Sequence, residues 1–238
     1  MTLPFEPIQV EPAYRKVAAA MIARITTRDF KSGDRLPSEL ELAKQFGVNR
    51  STVREALREL QSAGLLTRAR GSKLMMVTRP QADHVAENVG RALVLHDVTF
   101  LNVWESMSMF EPPIAEAAAR RRTAQDLEQL IGAQKSFERE TTPRYVAEFF
   151  AAIASATHNP VLAMAQIPLV QLLEPSLGAM IDKVPQARSR IITAQRRICE
   201  AVQSRSAEGA RTWMTKHVRD FRRGYELAGI DLELKIEF

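Results

Sequence analysis

The sequence predicts a mainly α-helical fold in two parts: a small N-terminal domain with two helices in tight succession and a β-hairpin, and a larger all-helical bundle behind it. Three observations predict it. A capped helix, a glycine turn and a second amphipathic helix fall within residues 38–64, followed by two short apolar runs about the turn RGSK. From Gln81 to about Gly229 there is no strand-like alternation, and helical segments follow one another with few glycines. The charge also divides the chain. Residues 1–78 carry 13 Lys+Arg and 8 Asp+Glu, net +5, whereas residues 79–238 carry 20 of each. A basic head on a neutral body points to a polyanion-binding head and a body with another task.

Taken in order, residues 12–29 read as a helix with Val17, Met21 and Ile25 at four-residue spacing. After the loop KSGDRLP, Ser38 caps a second helix and Glu41, three positions on, completes a capping box. Gly47 ends that helix, and Asn49 is in place to cap the next. The result is a helix-turn-helix arrangement. In RSTVREALRELQSAG, Val53, Ala56, Leu57 and Leu60 follow the i, i+3, i+4, i+7 rule and point inward. Arg50, Arg54 and Arg58 lie four apart beside that stripe. Leu65–Arg70 and Lys73–Val77 predict two strands, a wing tipped by Arg70, Gly71, Ser72 and Lys73.

The body predicts helices near 81–95, 98–121, 124–140, 143–157, 160–182, 186–205 and 207–228. Pro143, Asn159-Pro160 and Pro185 mark breaks, and Pro112-Pro113 predicts a kink or a division of the second segment. The closing DLELKIEF reads as either a short strand or a tail without regular structure. Domain boundaries follow: 1–78 for the winged helix-turn-helix head, 79–95 for a linker helix hinged at residues 79–81, and 96–238 for the helical domain.

The chain of 238 residues buries a real core in either part. Glu6, Glu11, Arg15 and Lys16 interrupt any secretion signal, and no segment is expected to approach the ~18 uncharged apolar residues of a membrane span. A cytoplasmic protein with no membrane partner is the expectation. The single Cys199 excludes an internal disulfide and a CxxC knuckle, and its neighbours Ile198, Ala201 and Val202 predict burial. The sequence has no Gly-rich phosphate loop, nucleophile elbow, zinc-protease helix or Ser/His/Asp grouping, so an enzyme is not expected.

A major groove about 12 Å wide admits one helix, whose N-terminal residues read bases best, while phosphates accept Arg, Lys, hydroxyls and backbone amides. Arg50, Ser51, Thr52 and Arg54 supply those groups at that end, and either arginine has the two-pronged donor set that matches guanine O6 and N7. Binding to double-stranded DNA is the expected function of this head. The rival reading from the same charges is a nonspecific nucleic-acid-binding protein, which shares the salt dependence but not the sequence preference.

The stretch GDRLPSELELAKQFGVNRSTVREALRELQSAGLLTRARGSKLMMV resembles the winged-helix head of the GntR superfamily of bacterial transcription regulators, and the helical body resembles its FadR subfamily. The resemblance implies DNA contacts at Arg35, Asn49, Arg50, Ser51, Thr52, Arg54 and Gly71, and binding as a homodimer to a pseudo-palindromic operator. Leu40 departs from it, standing where many relatives place an arginine.

The resemblance also implies a ligand pocket in the bundle, often holding a metal bound by an aspartate, a histidine four residues later and two histidines on later helices. Counting from Asn159-Pro160 puts the first two positions at Val146 and Phe150. The pattern Met214-x-x-His217 supplies the last and puts the third at Gln195, 22 positions earlier. One imidazole and one amide make no metal site, so no metal and no cofactor are expected. His217 is expected to hydrogen-bond Gln195 or an effector, or to stand as a core histidine. Met107 takes the place of an arginine that pairs with acidic effectors in relatives. With Phe110 one turn on, Met107, Val146 and Phe150 predict an apolar effector, aromatic or acyl, or a core filled by side chains that senses nothing. His158 occupies a slot where relatives have glycine and is expected to meet the last carbonyls of its helix.

Overall fold

Helix α1 (Ala13–Thr26) packs against α3 (Arg50–Ser62), and α2 (Glu39–Phe46) leads into α3 through Gly47, whose left-handed φ of 64° turns the chain in one step. The capping box forms with both of its bonds: Glu41 N–H donates to Ser38 Oγ at 3.3 Å and Ser38 N–H to Glu41 Oε2 at 2.8 Å. Asn49 holds the N-cap position of α3 in extended backbone, but its side chain makes no capping bond. Val53, Ala56, Leu57 and Leu60 are buried, as the periodicity predicts, with Val17, Met21 and Leu36 in the same core. Strand β1 (Leu66–Arg68) pairs antiparallel with β2 (Met75–Val77), Leu66 opposite Val77. Leu36 N–H donates to Met75 O at 2.8 Å and ties the Arg35 loop to this hairpin.

This computed structural model describes residues 11–68, 74–80 and 82–237, so the predicted wing tip, Arg70 to Lys73, lies outside the described residues. The chain divides into two units, Met1–Gln81 and Ala82–Phe238. The second comprises α4 (Ala82–Leu95), α5 (Phe100–Arg121), α6 (Ala124–Arg139), α7 (Pro143–Ser155), α8 (Pro160–Lys183), α9 (Ala187–Gln203) and α10 (Ala207–Ala228). Helix α4, expected as a linker, packs along α8 inside this unit.

Four local features bear on the expectations. Of the two outcomes expected at Pro112-Pro113, the division does not occur, since α5 runs on through both; the prolines remove two donors, yet the helix is held by its packing on α10 and the neighbouring helices. Helix α8 is long and apolar enough to cross a bilayer, contrary to the expectation that no segment approaches that limit. Its apolarity has a structural use, since Val170, Leu172, Leu173, Leu177 and Met180 are buried in the bundle core. The C-terminal stretch forms a bridge: Ile236 N–H donates to Val98 O at 2.9 Å and Leu101 N–H to Leu232 O at 2.8 Å. His158 has a φ of 51°, the reason a glycine suits its slot; its backbone N–H donates to the last carbonyl of α7, Ser155 O, at 2.9 Å, while its side-chain Nε2 lies 2.8 Å from Asp126 Oδ2 on α6. Cys199 is buried as expected, and burial pushes its thiol up to about 12, which keeps it protonated and inert.

Candidate functional site

In the head, the exposed residues at the start of α3 follow from its apolar face. With Val53 and Ala56 turned inward, Arg50, Ser51 and Arg54 are left on the surface and Thr52 half-buried beside them. Asn49 and Arg35 are also exposed. Arg54 is held by a residue the sequence reading did not single out. Glu39, the first residue of α2, accepts Arg54 Nη2 at 2.9 Å and Nε at 3.4 Å, and Arg50 Nη2 stands 3.8 Å from the same carboxylate. The hydrogen bond from Arg54, with the nearby charges of Arg54, Arg50 and Arg68, holds the Glu39 carboxyl below the usual carboxylate range. Two candidate base-reading arginines thus share one anchor across the helix-turn-helix. Leu40 beside it is 50 % exposed, so the missing arginine leaves an apolar spot on the surface.

In the body, five of the six expected effector residues are in the core. Met107 on α5, Val146 and Phe150 on α7, Gln195 on α9 and His217 on α10 are all buried. Phe110 is not with them. It is 44 % exposed, because three residues of α-helix carry it about 60° off Met107, to the opposite side from Glu111. The buried stripe of α5 runs instead through Phe100, Val103, Met107, Glu111 and Ile114.

His217 lies against aromatic rings: its imidazole stacks on Phe150 with centroids 5.5 Å apart and planes at 7°, and Phe221 lies 4.7 Å away. Burial pushes its basicity down to about 3, so the ring is neutral at physiological pH. The expected hydrogen bond between His217 and Gln195 is not made. His217 Nε2 and both amide atoms of Gln195 are buried without partners. A cleft of about 260 Å³ opens beside His217, floored by Met180, Ile191 and Phe221 and edged by Arg190 and Asp220. Of the six expected residues, only His217 lines it.

The metal implied by the resemblance does not fit these residues. Val146 and Phe150 have no donor atom, leaving one neutral imidazole and one amide, and no group of three His, Cys, Asp or Glu suited to a metal occurs among the described residues.

Comparison with known proteins bears on both units. The pattern described as "Bacterial regulatory proteins, gntR family" matches residues 13–74, and the FCD domain matches residues 102–220. The chain is 28% identical to the Uxu operon regulator of Haemophilus influenzae, over 93% of this chain and 85% of that protein. It is 27% identical to the HTH-type transcriptional repressor NanR of Cronobacter sakazakii, over 87% of this chain and 85% of that one. Among solved structures, Streptococcus agalactiae GntR is alike in fold, with a TM-score of 0.61 at 23% identity, covering 88% of this chain and 99% of that one.

Proposed function

The chain belongs to the GntR family of bacterial regulatory proteins, with an FCD domain as its body, and from that premise we propose a FadR-type repressor that binds a pseudo-palindromic operator as a homodimer. It is a DNA-binding transcription regulator, not an enzyme. The observation that carries the operator reading is the start of α3, where Arg50, Ser51 and Arg54 are exposed as the groove requires and Glu39 anchors both arginines. Two heads related by a two-fold axis match a site whose halves are inverted repeats. Repression, in the cytoplasm where the chromosome lies, follows the likeness to a protein named as a transcriptional repressor.

For the body we read an apolar effector, aromatic or acyl in character, bound without a metal. The apolar surroundings of His217 and the cleft floor of Met180, Ile191 and Phe221 support it. A neutral imidazole adds a hydrogen-bonding group but no charge to hold a carboxylate. A second reading, a filled core that senses nothing, is favoured by the complete burial of Met107, Val146 and Phe150. Any response needs an effector that binds one state of the dimer better than another.

The test begins with operator capture from genomic fragments, followed by anisotropy titration on the captured operator and on random DNA. A strong preference for one fragment class is expected; equal affinity for all fragments would leave a nonspecific binder. Melting and operator release are then measured with a series of aliphatic and aromatic compounds. A series that moves neither leaves the filled-core reading.

A further inference from the structure

The flank of α10 away from the His217 cleft faces α5, and the two helices leave a groove of about 680 Å³ between them, the volume of an ordinary small-molecule site. Its floor is apolar, with Trp104 and Pro112 from α5 and Val218 from α10. Its rim is cationic: Arg219, Arg222 and Arg223 line it, and Glu226 is the one acidic side chain among the described residues beside them. This charge is local. Between Arg211 and Arg223, α10 carries five Lys and Arg against one acid, Asp220, in a body whose charges cancel as a whole.

The three arginines are not equivalent. Trp104 donates its indole N–H to Val218 O at 2.9 Å, which fixes the ring against α10. The Arg222 guanidinium lies over that ring, 4.8 Å from its centroid, and its Nε donates to Glu226 Oε1 at 2.9 Å. One face of this plane is therefore covered and its edge is held, while the side chain stays 43 % exposed and leaves the opposite face open. Arg219 and Arg223 are exposed, four residues apart on one helical face, and enter no ion pair among the described residues. Like charges at that spacing repel each other, and Glu226 is already committed to Arg222, so the pair lacks a counter-ion.

The geometry points to this groove as a binding site for a small planar aromatic molecule bearing a phosphate, with its ring on the open face of the Arg222 guanidinium and its phosphate between Arg219 and Arg223. A guanidinium plane stacks on aromatic rings, so Trp104, Arg222 and the ligand ring form one stack. A phosphate near its full double charge matches two unneutralised guanidiniums better than a carboxylate does, and its oxygens accept the forked N–H donors of each. A cation would meet three like charges, and a neutral ring would leave Arg219 and Arg223 without a counter-ion. The site is distinct from the effector cleft beside His217, and the inference stands whether the bundle core is open or filled.

Isothermal titration calorimetry of the full chain with adenosine monophosphate tests the assignment, with adenosine and ribose phosphate as comparisons. One saturable site is expected for the monophosphate, with adenosine and ribose phosphate each weaker by about tenfold or more, because each lacks one half of what the groove recognises. Arg223→Gln should weaken the monophosphate by about tenfold, since it removes a charge-assisted contact. Arg222→Lys keeps the charge but removes the plane, so it should weaken the monophosphate and leave ribose phosphate unchanged. Arg197→Gln, at an exposed arginine of α9 outside the groove, should bind like wild type, and melting curves verify that each variant folds. Absence of saturable binding would overturn the site. So would adenosine binding as well as the monophosphate, which removes the phosphate contact, ribose phosphate binding as well, which removes the stack, or an Arg223→Gln variant with wild-type affinity.

Discussion

Replacing Glu111 with glutamine should change how the stability of this protein depends on pH, and the direction follows from burial alone. The folded carboxyl titrates near 8, against 4.5 for an ordinary glutamate. Between those values the folded state holds a proton that the unfolded chain has released, so wild-type stability is greatest below about pH 4.5 with respect to this group and falls as pH rises through 8. At about 1.36 kcal/mol per pH unit, the loss from pH 5 to pH 8 comes to roughly 3–4 kcal/mol, an upper bound because local water entry softens it. Glutamine carries no proton to lose. Urea unfolding of wild type and Glu111→Gln at pH 5, 6, 7 and 8 should show the variant gaining on wild type at each step. A stability difference that stays constant across that range would falsify the burial argument, because it would mean Glu111 titrates alike in the folded and unfolded chains.

Further outcomes follow from the two candidate sites. Arg50→Ala should cost about 1–3 kcal/mol of discrimination between operator and mutated operator, whereas Lys73→Ala should weaken both alike; equal losses for Arg50→Ala on operator and random DNA would remove its base-reading role. Glu39→Gln deletes the carboxylate that holds Arg54 and should raise affinity for random DNA while lowering the operator-to-random ratio, as read by anisotropy. Phe150→Ala leaves a cavity against His217 and should lower unfolding free energy by about 3–5 kcal/mol. Dialysis against a strong chelator should leave the melting temperature unchanged, and stoichiometric zinc or nickel in purified protein would contradict the donor set described above.

Where the sequence was legible, one physical rule governed each residue. The inward face of α3 follows from a period of 3.6, the start of α2 from reciprocal bonds three residues apart, and the turn between them from glycine's access to positive φ. Each needs only near neighbours in the chain. Pro112-Pro113 does not divide α5: intrinsic preference argues for a break, but the cost of missing donors is outweighed by what the whole helix buries. Phe110 misled for a smaller reason: a step of three residues rather than four swings the side chain off the buried stripe.

The polar residues were the least legible, and for a common cause. Glutamate and glutamine are expected on surfaces, so neither Glu111 nor Gln166 announces burial in a pattern that scores hydrophobicity. Glu39 meets Arg54 across fifteen positions of chain, a pairing visible only once α2 and α3 cross. His158 and Asp126 are thirty-two apart and meet in the same way. Long-range polar pairing depends on where whole elements come to rest, which the apolar pattern determines without naming the pairs that result. Glu111 Oε1 and Gln166 Oε1, both buried without a partner, extend this point. A fold driven by apolar burial has no general reason to retain a carboxyl in its core, since an apolar side chain of similar size would avoid the desolvation cost.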